Sequence, residues 1–173
     1  MSHFQVLFLI GLPAAGKSTI GHKLAQKTGR AFLDTDQIIE DQTGISIPAF
    51  FAQYGPYRFR EQERSALSYI AKTVTTPTII ATGGGLPCFF DNMDTMLRLG
   101  HVMWVQAPIS TIVRRLISQI DSRPLLAELE PEQVGHWLLD VLSARHYYYR
   151  RANSILTDTM DLDEVAGMPS IFA

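Results

Sequence analysis

Gly11-Leu12-Pro13-Ala14-Ala15-Gly16-Lys17-Ser18 has the pattern G-x-x-x-x-G-K-S of a phosphate-binding loop, or P-loop. The run before it is short, apolar and β-prone, which predicts a buried strand over about Gln5–Ile10. The run after it carries Ile20 and Leu24 at helical spacing, which predicts a helix over about Lys17–Thr28, stopped by Gly29. Strand, loop and helix in that order are the context the motif needs. Successive backbone N–H groups of such a loop point into one hollow, and the helix N-terminus adds a partial positive charge. Lys17 is placed to reach the β- and γ-phosphates of a nucleotide, and the Ser18 hydroxyl to ligate Mg²⁺.

The 173 residues suit one domain, residues 1–173, with a substantial core. A content of 46% hydrophobic and 18% charged residues belongs to the globular class. The net charge of −2 offers no basic footprint for nucleic acid. Cys88 is the one cysteine, which excludes an internal disulfide and a cysteine-rich metal centre. The five histidines show no metal-ligand spacing. No basic region precedes the first apolar run, and no stretch approaches about 18 apolar residues, so neither a signal peptide nor a membrane span is expected. A cytoplasmic enzyme is the default expectation.

Outward from the loop the chain alternates strands and helices. Ala31-Phe32-Leu33 reads as a strand ending in Asp34-Thr35-Asp36. Helices are expected at Gln37–Thr43, Ile47–Gln53 and Tyr57–Thr73, the last two separated by the breaker Tyr54-Gly55-Pro56. Thr78–Thr82 is a continuous β-branched run, the mark of a central parallel strand, and it ends in Gly83-Gly84-Gly85. A helix over Phe89–Leu99, a strand over His101–Gln106 and a helix over Ile109–Ile117 follow. An irregular stretch, about 118–131, contains Arg123-Pro124-Leu125-Leu126; a helix over Glu132–Arg150, a strand near Ser154–Leu156 and a short helix from about Asp161 close the chain. Such alternation predicts an α/β fold of three layers, with a central five-stranded parallel sheet between helices. The P-loop, Asp34/Asp36 and the triple glycine all fall at strand carboxyl ends, where such sheets bind ligands.

The chemistry-bearing residues outside the P-loop can be weighed one by one. Asp34 and Asp36 offer one carboxylate to orient Mg²⁺ and another to position or deprotonate an attacking hydroxyl, although either can simply cap the next helix. Three consecutive glycines favour close approach of backbone to a ligand over a plain tight turn. Arg60 and Glu63 share a helix face, so Glu63 can hold Arg60 ready for an anion; a bare surface ion pair is the alternative. Arg123, in the irregular stretch, suits a lid that brings positive charge to a transferring phosphoryl group. Arg145 opens a basic and aromatic cluster in which some tyrosines belong to the core, with Arg150 and Arg151 expected in solvent. Met103, Trp104 and Trp137 read as core.

Taken together, the P-loop, Phe32-Leu33-Asp34-Thr35-Asp36, Phe59-Arg60-x-x-Glu63, Ala81-Thr82-Gly83-Gly84-Gly85, Arg123-Pro124-Leu125-Leu126 and Arg145-x-x-x-Tyr149 resemble shikimate kinase, a small P-loop kinase of the nucleoside-monophosphate-kinase branch. The resemblance runs from Leu9 to about Ile155. It implies ATP-dependent phosphorylation of the 3-hydroxyl of shikimate, in the route to aromatic amino acids, with ATP and Mg²⁺ required and a monomer expected. By position it implies nucleotide contacts from Gly11, Ala14, Ala15, Gly16, Lys17, Ser18, Thr19, Arg115 and the lid residue Arg123. Ser18 and Asp34 correspond to the metal site, and Lys17, Asp36 and Arg123 to the catalytic set. Asp36, Phe51, Phe59, Arg60, Glu63, Gly83, Gly84, Gly85 and Arg145 correspond to the acceptor site, with acceptor-binding helices about 37–73 and the lid about 118–131. The departure is Ala14, where loops of the family commonly carry a glycine. Quinate and gluconate are the other small polyol acids that such a constellation could serve.

Overall fold

A computed structural model describes residues 6–119, 126 and 129–172. Five strands form one sheet: β1 (Val6–Ile10), β2 (Ala31–Asp34), β3 (Thr78–Ala81), β4 (Gly100–Gln106) and β5 (Ser154–Thr157). Their spatial order is β2-β3-β1-β4-β5 and every pairing is parallel. β1 is central, and all five of its residues are buried because neighbours pair on both edges and helices cover both faces. The expected α/β layering with a five-stranded parallel sheet is therefore present.

The helices are α1 (Lys17–Thr28), α2 (Thr35–Thr43), α3 (Ile47–Thr73), α4 (Asn92–Leu99), α5 (Ile109–Ile117), α6 (Val134–Tyr149), α7 (Leu162–Ala166) and α8 (Pro169–Phe172). α1 packs so closely on β2 that a Cβ on Gly21 would sit 2.4 Å from the Phe32 ring. Short 3₁₀ turns occupy Leu86–Cys88 and Pro131–Gln133. None of the described helices is long and apolar enough to cross a membrane.

Several boundaries differ from the sequence expectation for physical reasons. α2 starts two residues early, because the Asp34 carboxylate accepts the Asp36 N–H (3.0 Å) and caps the helix at once. α4 starts at Asn92 rather than Phe89, because the 3₁₀ turn and a left-handed Phe90 (φ 53°) occupy the preceding residues. The expected break at Gly55 is present within the span of α3: Gly55 takes the non-helical φ 76°, ψ 174°, and Pro56 starts a second helical segment. Trp104 and Met103 are core, as expected, but Trp137 is half-buried at a pocket wall. Arg151 is half-buried and ion-paired with Asp94 at 2.5 Å, not free in solvent.

Candidate active site

The P-loop joins β1 to α1 and is wound tightly by its backbone. Ala14 (φ 58°) and Gly16 (φ 99°) both take positive φ, the alternation that turns successive N–H groups inwards. Ala14 thus occupies a conformation that glycine adopts without penalty and alanine only at a cost of about 1–2 kcal/mol. The side chain of Lys17 is buried and its Nζ donates to the carbonyls of Gly11 (3.0 Å) and Leu12 (2.8 Å). Arg115, exposed in the last turn of α5, donates to the Ala14 carbonyl at 3.0 Å. Ala15 is buried, while Ser18 and Thr19 are exposed in the first turn of α1. A second pocket opens beside Ala15 and Arg115, with Gln106, Thr111, Thr157 and Asp158 in its wall. Those four were not singled out in the sequence. Their signal was positional: Gln106 and Thr157 end β4 and β5, where ligands of parallel sheets gather.

The Ser18 hydroxyl donates to Asp34 Oδ2 at 2.7 Å, so a hydroxyl and a carboxylate adjoin at the mouth of the P-loop. Asp34 caps α2 and also accepts from Ser18, so capping the helix leaves its second oxygen turned to the P-loop. Among the described residues no group of three or more His, Cys, Asp or Glu side chains could cage a metal. One hydroxyl beside one carboxylate fits Mg²⁺, which keeps waters and takes further oxygens from phosphate.

A pocket lies across the P-loop. Asp36, Phe51, Phe59, Arg60, Glu63, Gly83, Gly84, Gly85 and Arg145 all line it, drawn from α2, α3, the loop after β3 and α6. Pro13, Ile47, Leu116, Leu126 and Trp137 complete the wall and were missed in the sequence. Apolar residues at helical spacing read equally well as core. Arg123 and most of the expected lid fall outside the described residues. Arg58, although basic and on the same helix as Arg60, pairs with Glu61 at 2.8 Å on the exposed side and takes no part.

The triple glycine is explained by side chains rather than by backbone angle. None of the three takes a positive φ. A Cβ on Gly83 would lie 2.9 Å from Glu63 Oε1 and 3.0 Å from Asp36 Oδ1. On Gly84 it would meet an Arg145 Nη at 3.0 Å, and on Gly85 an Arg60 Nη at 2.3 Å. The absent side chains make room for four charged groups. The loop itself is tied down: the Gly83 N–H donates to Thr35 Oγ1 (2.9 Å), and the buried Tyr149 hydroxyl donates to the Gly84 carbonyl (2.6 Å).

Arg60 and Glu63 are not a surface pair. Glu63 is fully buried and accepts from Arg60 Nη1 at 2.5 Å. Loss of hydration pushes the Glu63 carboxyl up to about 7, against the pull of the Arg60 guanidinium. Nearby Asp36 adds to the rise and Arg145 opposes it. Burial likewise raises the Tyr149 hydroxyl, and raises the half-buried Cys88 thiol to about 11.

A pocket that presents two arginines, an aspartate and a glycine-lined floor beside a P-loop suits an acceptor with a carboxylate and hydroxyls. Comparison with known proteins agrees. The family model described as shikimate kinase matches residues 13–170. The chain is similar to the shikimate kinase of Azobacteroides pseudotrichonymphae, with 36% identity over 149 residues, 86% of this chain and 87% of that protein. It is 37% identical over 153 residues to the shikimate kinase of Psychrobacter cryohalolentis, 88% of this chain and 79% of that one. Its fold superposes on the crystal structure of shikimate kinase from Bacteroides thetaiotaomicron with a TM-score of 0.83 and 30% identity, over 94% of both chains. It superposes on that from Acinetobacter baumannii, solved in complex with shikimate, with a TM-score of 0.82 and 32% identity, over 94% of this chain and 89% of that one. The match spans fold, motifs and nearly the whole length, and the chain belongs to the shikimate kinase family.

Proposed function

We propose that this chain transfers the γ-phosphoryl group of ATP to the 3-hydroxyl of shikimate, giving shikimate 3-phosphate and ADP, with the roles that follow for its residues. The observation that carries the reading is the convergence of Asp36, Arg60, Glu63 and Arg145 on the triple glycine, beside the P-loop. The P-loop backbone from Gly11 to Gly16, with Thr19, cradles the phosphates; Lys17 leaves its carbonyl contacts to meet their charge. Arg115 leaves Ala14 to border the base. Ser18 and Asp34 hold the Mg²⁺ and its waters. When bound, that ion neutralises charge on the phosphates.

Arg60 and Arg145 receive the acceptor's carboxylate, because a planar guanidinium donates two parallel hydrogen bonds to it. Glu63 keeps Arg60 in place, and Phe51 and Phe59 wall the ring. Asp36 orients the attacking hydroxyl and takes its proton. A bond then forms from that oxygen to the γ-phosphorus, and the bond to the ADP oxygen breaks. Residues 118–131 act as the lid, with Arg123 supplying charge to the transferring group, while helices at 37–73 carry the acceptor site; the rest of residues 1–173 is the single domain that supports them. A monomer working in the cytoplasm, where ATP and a small acid acceptor meet, completes the reading.

ADP release with shikimate, quinate or gluconate as acceptor tests the assignment. Shikimate should be preferred in kcat/KM by at least about a hundredfold, given the cost of unpaired buried polar groups. A clear preference for either other acid would overturn it.

A further inference from the structure

Arg60 is held by more than Glu63. The ring of Phe89 lies against its guanidinium, with the guanidinium carbon 4.5 Å from the ring centroid. Phe59 lies at 5.4 Å. Both are within the range at which a guanidinium is attracted to an aromatic face. Glu63 accepts from one nitrogen of the guanidinium, Gly85 leaves the space it fills, and its central carbon lies over the Phe89 ring. The Arg60 side chain is only 12% exposed, whereas Phe89 remains 41% exposed. Phe89 therefore keeps a partly exposed aromatic ring at the surface against Arg60.

The backbone around Phe89 is arranged for this contact. Phe90, a bulky residue, takes φ 53°, a conformation that persists only where the surroundings impose it. Its ring covers Arg64 (4.9 Å), one turn of α3 beyond Arg60. Two successive phenylalanines thus seat on two arginines four residues apart. The segment is pinned from behind by the buried Asn92, whose Nδ2 donates to the Leu86 carbonyl (2.9 Å) and whose N–H donates to the Phe89 carbonyl (3.3 Å). The same stretch that forms the glycine floor therefore ends in the ring that fixes the carboxylate-binding arginine.

We propose that Phe89 is a positioning residue for the acceptor's carboxylate: its ring holds the Arg60 guanidinium in place. This rests on the reading of Arg60 as the carboxylate clamp. The ring removes a rotational freedom that Arg60 would otherwise lose on binding, so its effect falls on acceptor affinity and not on phosphoryl transfer.

Phe89→Leu, Phe89→Tyr and Arg60→Ala, assayed with shikimate and with its methyl ester, test the proposal. Phe89→Leu should raise KM for shikimate about three- to tenfold, with kcat and the KM for ATP within about twofold. Phe89→Tyr, which keeps the face, should stay near the parent. With the ester, which lacks the carboxylate charge, Phe89→Leu and the parent should agree. An unchanged KM for shikimate in Phe89→Leu, or an equal rise for acid and ester, would overturn the role of Phe89. Arg60→Ala separates the two readings: if it leaves KM for shikimate unchanged, the clamp itself is wrong. If it raises KM while Phe89→Leu does not, only the positioning role falls.

Discussion

The P-loop, as the proposed phosphate side, and the glycine-floored pocket, as the proposed acceptor side, are built in opposite ways. On the phosphate side, one stretch of eight residues supplies the loop, the lysine and the serine, and carbonyls of that same stretch hold the lysine. On the acceptor side, four charged side chains from α2, α3 and α6 meet over three glycines that contribute by having no side chains. A contiguous backbone device tolerates variation in side chains, as Ala14 illustrates. An assembled pocket depends on space, and one methyl group added to its floor must displace a charged side chain.

The sharpest way to break this comparison is to remove one group from each side. Lys17→Ala and Asp36→Ala should each lower kcat by about a hundred- to a thousandfold or more, with the circular dichroism spectrum unchanged. A near-normal kcat in either variant would remove that residue from the reaction. Next in size is Gly85→Ala. Gly85 takes an ordinary φ of −90°, so alanine fits the backbone, yet its Cβ would lie 2.3 Å from Arg60. Arg60 must move, and KM for shikimate should rise about tenfold or more while KM for ATP holds. A parallel rise in both would show that the two halves are not independent.

Glu63→Gln probes the electrostatic strain of the assembled side. The Glu63 carboxyl is raised from 4.5 to about 7, so between these values the folded protein binds the proton that the unfolded chain has released. Stability from this group is therefore present below about pH 4.5 and is lost as pH rises through 7. At about 1.4 kcal/mol per pKa unit the loss is of the order of 3 kcal/mol. Thermal unfolding should show the advantage of Glu63→Gln over the parent growing from pH 5 to pH 8, while KM for shikimate rises. An advantage independent of pH would mean that Glu63 does not titrate there. The smallest effect belongs to the phosphate side: Ala14→Gly relieves a positive φ but loosens the unfolded chain, for a net gain of about 0.5–1 kcal/mol in urea unfolding. A loss of stability would show that the loop needs the Ala14 methyl group.

What was legible follows the same division. The P-loop could be read because its function needs fixed spacing along the chain. Asp34, Asp36, Arg60, Glu63 and Arg145 could be singled out from residue type and spacing and given roles through resemblance to a family, but spacing alone left Arg60–Glu63 open between a clamp and a surface pair. Burial decided it: a fully buried carboxylate 2.5 Å from a guanidinium is part of a pocket. Trp137 was mistaken for core because a pocket wall and a core have the same apolar pattern. Phe89 was assigned to a helix because nothing local signals a left-handed phenylalanine at the next position.

By itself, then, the sequence determined the strand–loop–helix unit, the alternation that makes a parallel sheet, and the chemistry of the donor side, because these depend on contacts between near neighbours. Only the tertiary structure decided the strand order, the reason for three glycines, and the grip on Arg60 by Glu63 and Phe89. Those depend on which residues far apart in the chain compete for the same few ångströms of space, and no local pattern records that.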